Sequence, residues 1–340
     1  MFEFDDSRLD DVDWLLGRGQ RLRHLALAGA RLRQGVAGAD LAALARVADG
    51  FRPRAVIVLG PEARLMRAVA EPTCPVPLVA WPTPSLPAWV GSLDLVVILA
   101  SRPEEMTEAI DQSLRRGAVT LVVAPKAGAV TEHAVGRSVV TVWTGTDDHF
   151  VTAVVALAGL EALGLAPAVA PARVADGLDQ VAEQCSPHVA LGSNPAKDGA
   201  VCLADSVPLI WGGSVLAARA SRRLAEALRQ VTGRTALAAD ASELAPVLAG
   251  ATPQDLFADP FDEAGLSQGL SLVCLDDDSP DPLVGQAGRQ LSALADGHGV
   301  RLATIRHSQG GAVERYACLL QHGLFAAAYL GLGLNRGTEA

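Results

Sequence analysis

The chain has 340 residues, half of them hydrophobic and 19% charged. That suits two domains of about 150–170 residues each and excludes a disordered chain. The formal net charge of −10 is the wrong sign for holding nucleic-acid phosphates, and Arg pairs such as Arg222-Arg223 read as solvated helix faces. The five cysteines are scattered without CxxC or CxxH spacing, which argues against a disulfide framework or a zinc site. An acidic start, MFEFDDSRLDD, lacks the basic and apolar regions of a signal peptide, and the longest apolar stretches, near Val151–Leu165 and Leu324–Leu334, are too short and Ala/Gly-rich to cross a bilayer. A cytoplasmic protein with no membrane attachment is the expectation.

Strand-like and helix-like segments alternate along the chain. Ala55–Leu59, Val76–Ala80, Asp94–Ala100, Ala118–Ala124 and Ser138–Val142 are runs apolar on both faces, as strands of a helix-covered parallel sheet must be. Helical spacing falls on Ala39–Asp49, Glu62–Val69, Pro103–Arg116 and Asp147–Leu165. In Pro103–Arg116 a Pro sits at the first helical position, and Gly117 follows the end. The Pro/Ala-rich Leu165–Arg173 reads as a linker. The pattern then restarts, with strands at Val207–Trp211, Thr235–Ala239, Leu270–Leu275 and Val300–Ile305, and helices at Val215–Gln230, Val284–Gly297 and Val313–Gly333. The division predicted is a first α/β domain over residues 1–165, a linker at 166–176 and a second α/β domain over 177–340. Each sheet should be mainly parallel, and both units place a glycine between an early strand and the following helix.

Ligands of open α/β sheets gather at the C-terminal edge of the strands, near helix N-termini. Four turns qualify. Gly60-Pro61-Glu62 lacks GxGxxG spacing, and Glu62 would repel an anion. Ala100-Ser101-Arg102-Pro103 offers a hydroxyl and a guanidinium at a helix start, with helix capping as the plain alternative for Ser101. Gly212-Gly213-Ser214 has no carboxylate near it in sequence and reads as the best phosphate or polyol cradle. Arg306-His307-Ser308-Gln309-Gly310-Gly311 brings a cation and an imidazole to a strand end, where His307 could act as acid or base or simply be exposed. Asp276-Asp277-Asp278 also ends a strand. A divalent-cation site and a solvated loop are its two readings, and no EF-hand spacing follows it.

The stretch Ser193–Ser214 resembles the bifunctional phosphoglucose/phosphomannose isomerases, a family of the sugar isomerase (SIS) domain superfamily. Asn194-Pro195-Ala196-Lys197 matches that family's Asn-(Pro)-Ala-Lys segment, and Pro208-Leu209-Ile210-Trp211-Gly212 its Pro-x-Ile-Tyr-Gly. The next family helix carries an arginine, a glutamate and a cation, matched by Arg219, Glu226 and Arg229. Gly323–Gly331 echoes the closing helix. The resemblance implies two SIS-like α/β/α sandwich domains with flavodoxin-like parallel sheets, a homodimer and a sugar-phosphate substrate. It implies that Glu226 is the base moving a proton between C2 and C1 of an open-chain sugar phosphate through an enediol; His307, outside the matched motifs, is the candidate for opening the ring on the same reading. Ser101, Arg102, Gly212, Gly213, Ser214 and Arg219 would then bind substrate, with no metal and no organic cofactor.

Departures from that family are concrete. Its phosphate loop, S-x-S-G-N-T-E-E, aligns with Ile98-Leu99-Ala100-Ser101-Arg102-Pro103-Glu104-Glu105, where a serine and a threonine have become Ala100 and Pro103. Its ring-opening histidine is missing from Ser242–Val247, which keeps Glu243, and no lysine follows Lys197; Arg336 stands nearest to that role. A second reading is therefore a SIS protein that binds or senses a phosphosugar without turning it over, or that serves as an assembly partner. A dinucleotide enzyme is a third, weakened because no strand is followed by GxGxxG.

Overall fold

A computed structural model describes residues 4–40, 44, 50–125, 138–251 and 269–336. The chain forms two compact units, Gly29–Asp176 with Gly311–Val313, and Met1–Ala28 with Gly177–Gly310 and Glu314–Ala340. Three helices absent from the sequence reading come first: α1 (Val12–Arg18), α2 (Gln20–Ala26) and α3 (Ala28–Ala37). The expected helix at Ala39–Asp49 lies outside the described residues apart from its first two positions and Leu44.

The unit beginning at Gly29 holds β1 (Val56–Leu59), α4 (Ala63–Ala70), β2 (Leu78–Trp81), β3 (Leu95–Leu99), α5 (Thr107–Arg115), β4 (Val119–Ala124), β5 (Val139–Trp143) and α6 (His149–Ala162). Its five strands run parallel in the order β2-β1-β3-β4-β5, the flavodoxin-like order. Val56 of β1 sits between Leu78 and Leu95 in register, and β1, β3 and most of β4 are buried on both faces. That explains their unbroken Val/Ile/Leu runs, since alternate side chains meet helices on opposite sides of the sheet. Ile57, Leu59, Val96, Ile98 and Val122 pack with Met106, Ala109 and Ile110. Each such side chain removed from water is worth about 1.5–3 kcal/mol.

The other unit contains most of α7 (Pro171–Gln184), then α8 (Pro195–Leu203), β6 (Ser206–Gly212), α9 (Val215–Thr232), β7 (Leu237–Ala238), α10 (Ala241–Ala249), β8 (Gly269–Asp276), α11 (Pro282–Gly297), β9 (Arg301–Arg306) and α12 (Ala312–Gly333). Its four described strands are parallel in the order β7-β6-β8-β9, which repeats the first four positions of the other sheet. Leu209, Trp211, Leu272 and Cys274 face Leu244, Leu248, Leu291 and Ala295. Helix α12 is apolar nearly all round and almost wholly buried, as an interior helix must be. Gly323 and Gly331 let it close on α9, where an added Cβ would meet Leu224 at 2.8 Å and Val231 at 2.2 Å.

Local chemistry sets the helix ends. Ser214, Asn194, Asp148 and Asp281 cap α9, α8, α6 and α11 with side-chain oxygens, and Gly233 ends α9 in the left-handed region at φ 63°. Two readings change here. Helix α7 starts inside the expected 166–176 linker, because Pro171 occupies a position where a missing N–H costs nothing. Residues before Gly29 join the second sheet's unit, not the first. Leu9, Leu15 and Leu22 are buried, Asp10 accepts a hydrogen bond from Leu191 N at 2.8 Å, and Gln321 Nε2 donates to Leu25 O at 3.0 Å.

Candidate functional site

Strand order reverses between β1 and β3 in one sheet and between β6 and β8 in the other, and in each case the chain itself fills the crevice. At the end of β1, Gly60 has φ 113°, and a Cβ there would lie 2.4 Å from the Leu99 carbonyl oxygen. In the neighbouring turn Ser101 is buried, its hydroxyl 3.5 Å from that of Thr152. Arg102 lies exposed beside Glu105 at 3.2 Å. The expected helix start at Pro103 is displaced as well. Pro103–Glu105 form a short 3-10 turn and the α-helix begins at Thr107, so Ser101 does not cap it.

At the second crevice tertiary structure supplies what the local sequence hid. Ser214 caps α9 by accepting from Ala217 N at 3.0 Å, and its hydroxyl donates to Asp277 Oδ2 at 2.5 Å. Asp277 is 6% exposed. A carboxylate from the end of β8 thus stands at the positive end of α9, where a phosphate would have to go. The expectation of a cradle with no carboxylate near it is corrected. Gly212 and Gly213 serve packing, with added Cβ atoms falling 2.2 Å from the Ala217 carbonyl and 2.4 Å from Val284. Two carboxylates of the acidic run are engaged by the protein itself, Asp277 by Ser214 and Asp276 by Arg306. Arg306 grips Asp276 at 2.6 Å, and Asp278 donates its backbone N–H to Asp276 at 2.9 Å. Among the described residues no group of three or more His, Cys, Asp or Glu side chains stands together as metal ligands.

Two open cavities lie elsewhere in this unit. One, of about 420 Å³, lies against α9 and is lined by Glu226 and Arg223 together with Arg21 and His24 of α2, Gln20 and Gln230. Glu226 is half-exposed and bonded to Arg223 at 2.8 Å. Periodicity on α9 puts Arg223, Glu226 and Gln230 on one face, and α2 brings the second set of polar side chains to it. The groove therefore joins a carboxylate and an imidazole, a pair able to carry protons, with two guanidiniums and two amides suited to anionic and hydroxyl groups. His24 and Arg21 were missed by sequence reasoning. Nothing local marks them, because α2 is remote from α9 along the chain.

The other cavity, of about 520 Å³, runs beside β9 and holds His307 and His322. It shares no lining residue with the first, so Glu226 and His307 are not brought together. Arg219 is half-buried on α9 and lines neither. Burial lowers the pKa of His307, an effect opposed by the Glu314 carboxylate, and burial likewise lowers that of His322.

The residues that carried the family resemblance have structural work as well. Asn194 caps α8 through Ala196 N and Lys197 N, and Lys197 is fully buried, donating to Pro187 O at 3.0 Å and Val189 O at 2.6 Å. Burial holds the Lys197 ammonium below its ordinary pKa, opposed by Asp10. Glu243 accepts from Asp240 N at 3.2 Å at the head of α10. Arg336 donates to the Thr232 carbonyl at the end of α9.

No family model matches the sequence, and no curated protein matches it. Solved structures do. The C-terminal domain of glucosamine-fructose-6-phosphate aminotransferase from Francisella tularensis aligns with TM-score 0.62 at 10% identity, over 92% of this chain and 96% of that one. Tagatose-6-phosphate ketose/aldose isomerase from Escherichia coli gives 0.62 at 13% identity, over 89% and 90%. A hypothetical protein from Thermus thermophilus gives 0.57 at 14%, over 97% and 94%. The likeness establishes the fold: two SIS-like α/β/α units, each built on a parallel sheet.

Proposed function

We propose that the chain is a sugar-phosphate aldose–ketose isomerase working in the Glu226 groove, of the type that interconverts glucose 6-phosphate or mannose 6-phosphate with fructose 6-phosphate. The observation that carries this reading is the placement of His24 and Arg21 beside Glu226 and Arg223. Glu226 takes the proton from C2 of the open-chain aldose and returns it to C1 of the enediol, while the hydroxyl proton passes from O2 to O1 and the carbonyl moves from C1 to C2. One carboxylate suffices because the two carbons are adjacent. His24 supplies the imidazole that the family segment at Ser242–Val247 lacks, and Arg21 and Arg223 face the phosphate. The reaction moves protons only and calls for no metal or organic cofactor. Fold neighbours that include a ketose/aldose isomerase support it, as does the resemblance to the bifunctional phosphoglucose/phosphomannose isomerases over Asn194–Arg229. A cytoplasmic homodimer completes the reading, with Leu27, 57% exposed at the end of α2, as a candidate contact; sedimentation of the purified chain reports it.

One observation favours binding without turnover. Both crevices at the strand ends are closed, by Gly60 against Leu99 and by Ser214 against Asp277. A single experiment separates the readings. The chain is incubated with each hexose 6-phosphate in deuterated water, and deuterium at C1 or C2 is followed by NMR beside a coupled assay. Solvent deuterium in product, with kcat reduced about 10²–10⁴-fold in Glu226→Gln and an unchanged melting temperature, supports isomerisation. A ligand-dependent rise in melting temperature without exchange selects the binding reading. Neither exchange nor a rise rejects both.

A further inference from the structure

We infer that the cavity beside β9 is a second small-molecule site, built for an uncharged polyol such as a free, unphosphorylated sugar. The inference stands apart from the isomerase reading, because the two cavities share no residue. At about 520 Å³ the cavity falls within the size range of small-molecule sites.

Charge decides the ligand class. Among the described residues the only formal charges on the lining are Asp198 and Arg306, and Arg306 is held by Asp276 through Nη2 at 2.6 Å and Nε at 2.8 Å. Both imidazoles are kept toward the neutral form by burial. The site thus lacks the paired guanidiniums of the Glu226 groove, and a phosphate would find Asp198 instead.

Hydrogen-bonding capacity points to hydroxyl groups. His307 Nε2 is shielded from solvent and has no partner among the described residues, which is rare and costly for a polar atom. His322 Nδ1 lies 3.1 Å from Cys318 O, a carbonyl that can only accept, so its Nε2 is an acceptor in the neutral ring. Gln180 and Gln184 add amides that both donate and accept, while Val181, Leu302 and Ile305 offer apolar wall for the C–H face of a sugar ring.

The test is titration of the full chain with glucose, mannose, fructose and sorbitol, followed by long-range 1H–15N spectra of the histidine rings. Saturable shifts of the His307 and His322 signals are expected, weakened about tenfold or more in Gln184→Ala and unchanged in Glu226→Gln. Hexose 6-phosphates should leave those two signals in place. Signals that stay fixed up to about 100 mM of every polyol, as a cavity holding water alone would give, overturn the proposal. So do shifts that persist unaltered in Gln184→Ala, or that phosphorylated sugars produce equally well. Loss of turnover in Glu226→Gln bears only on the isomerase.

Discussion

Replacing Gly60 by Ala tests the claim that the first crevice is closed by the backbone itself. Two costs combine there. At φ 113° an L-residue is strained, by about 1–3 kcal/mol. The new Cβ would also stand 2.4 Å from Leu99 O and 2.7 Å from Leu99 Cβ, and because the obstacle is the edge of β3, relief requires moving strand against strand. Overpacking of that kind costs about 1–3 kcal/mol. A loss of about 2–6 kcal/mol follows, or about 4–24 °C in melting for a unit of this size. Two controls separate the terms. Gly164 has φ 69° and open space around it, so Gly164→Ala should show the strain alone, about 1–2 kcal/mol. Gly91 has open space and no positive φ, so Gly91→Ala should be near neutral. Calorimetry gives the shifts, and hydrogen exchange of peptides spanning Val56–Leu59 and Leu95–Leu99 shows that the loss is local to this sheet. If Gly60→Ala melts no lower than Gly164→Ala, the close approach of β1 to β3 is wrong.

Acid should weaken the second-sheet unit before its carboxylates titrate. Because the folded-state pKa values of His307 and His322 lie below the unfolded one, the unfolded chain binds more protons, so stability is complete above about pH 6.5 and declines as pH falls toward the folded values. Thermal melts from about pH 7.5 to about pH 5.5 should show that slope, and a His307→Asn, His322→Asn double variant should flatten it; an equal slope in both proteins contradicts the assignment. Burial pushes the thiols of Cys185, Cys274 and Cys318 up to about 12, so a thiol reagent at neutral pH should label only the half-buried Cys74 and Cys202 before unfolding. Rapid native labelling of any of the other three speaks against their burial.

Strands β1, β3 and β8 were legible because a strand buried on two faces needs a continuous apolar run. The runs at Ala55–Leu59, Asp94–Ala100 and Leu270–Leu275 correspond to β1, β3 and β8 within a residue or two. Helices less marked by periodicity escaped. Helix α7 was hidden because Pro171 signals both a break and a helix start, and α8 because its apolar stripe is thin and its cap, Asn194, sits in a Pro-Ala context. The face of α9 bearing Glu226 could be read from spacing, but its company could not.

By itself the sequence determined an α/β architecture of two units and most of its strand positions, since these follow from periodicity within a few turns of chain. Only the tertiary structure decided which carboxylate meets which cation. It set Asp277 against Ser214, His24 beside Glu226, and His307 in a cavity of its own. Those pairings join residues far apart in the chain, so no local pattern records them, and they exist only once the sheets and helices have packed.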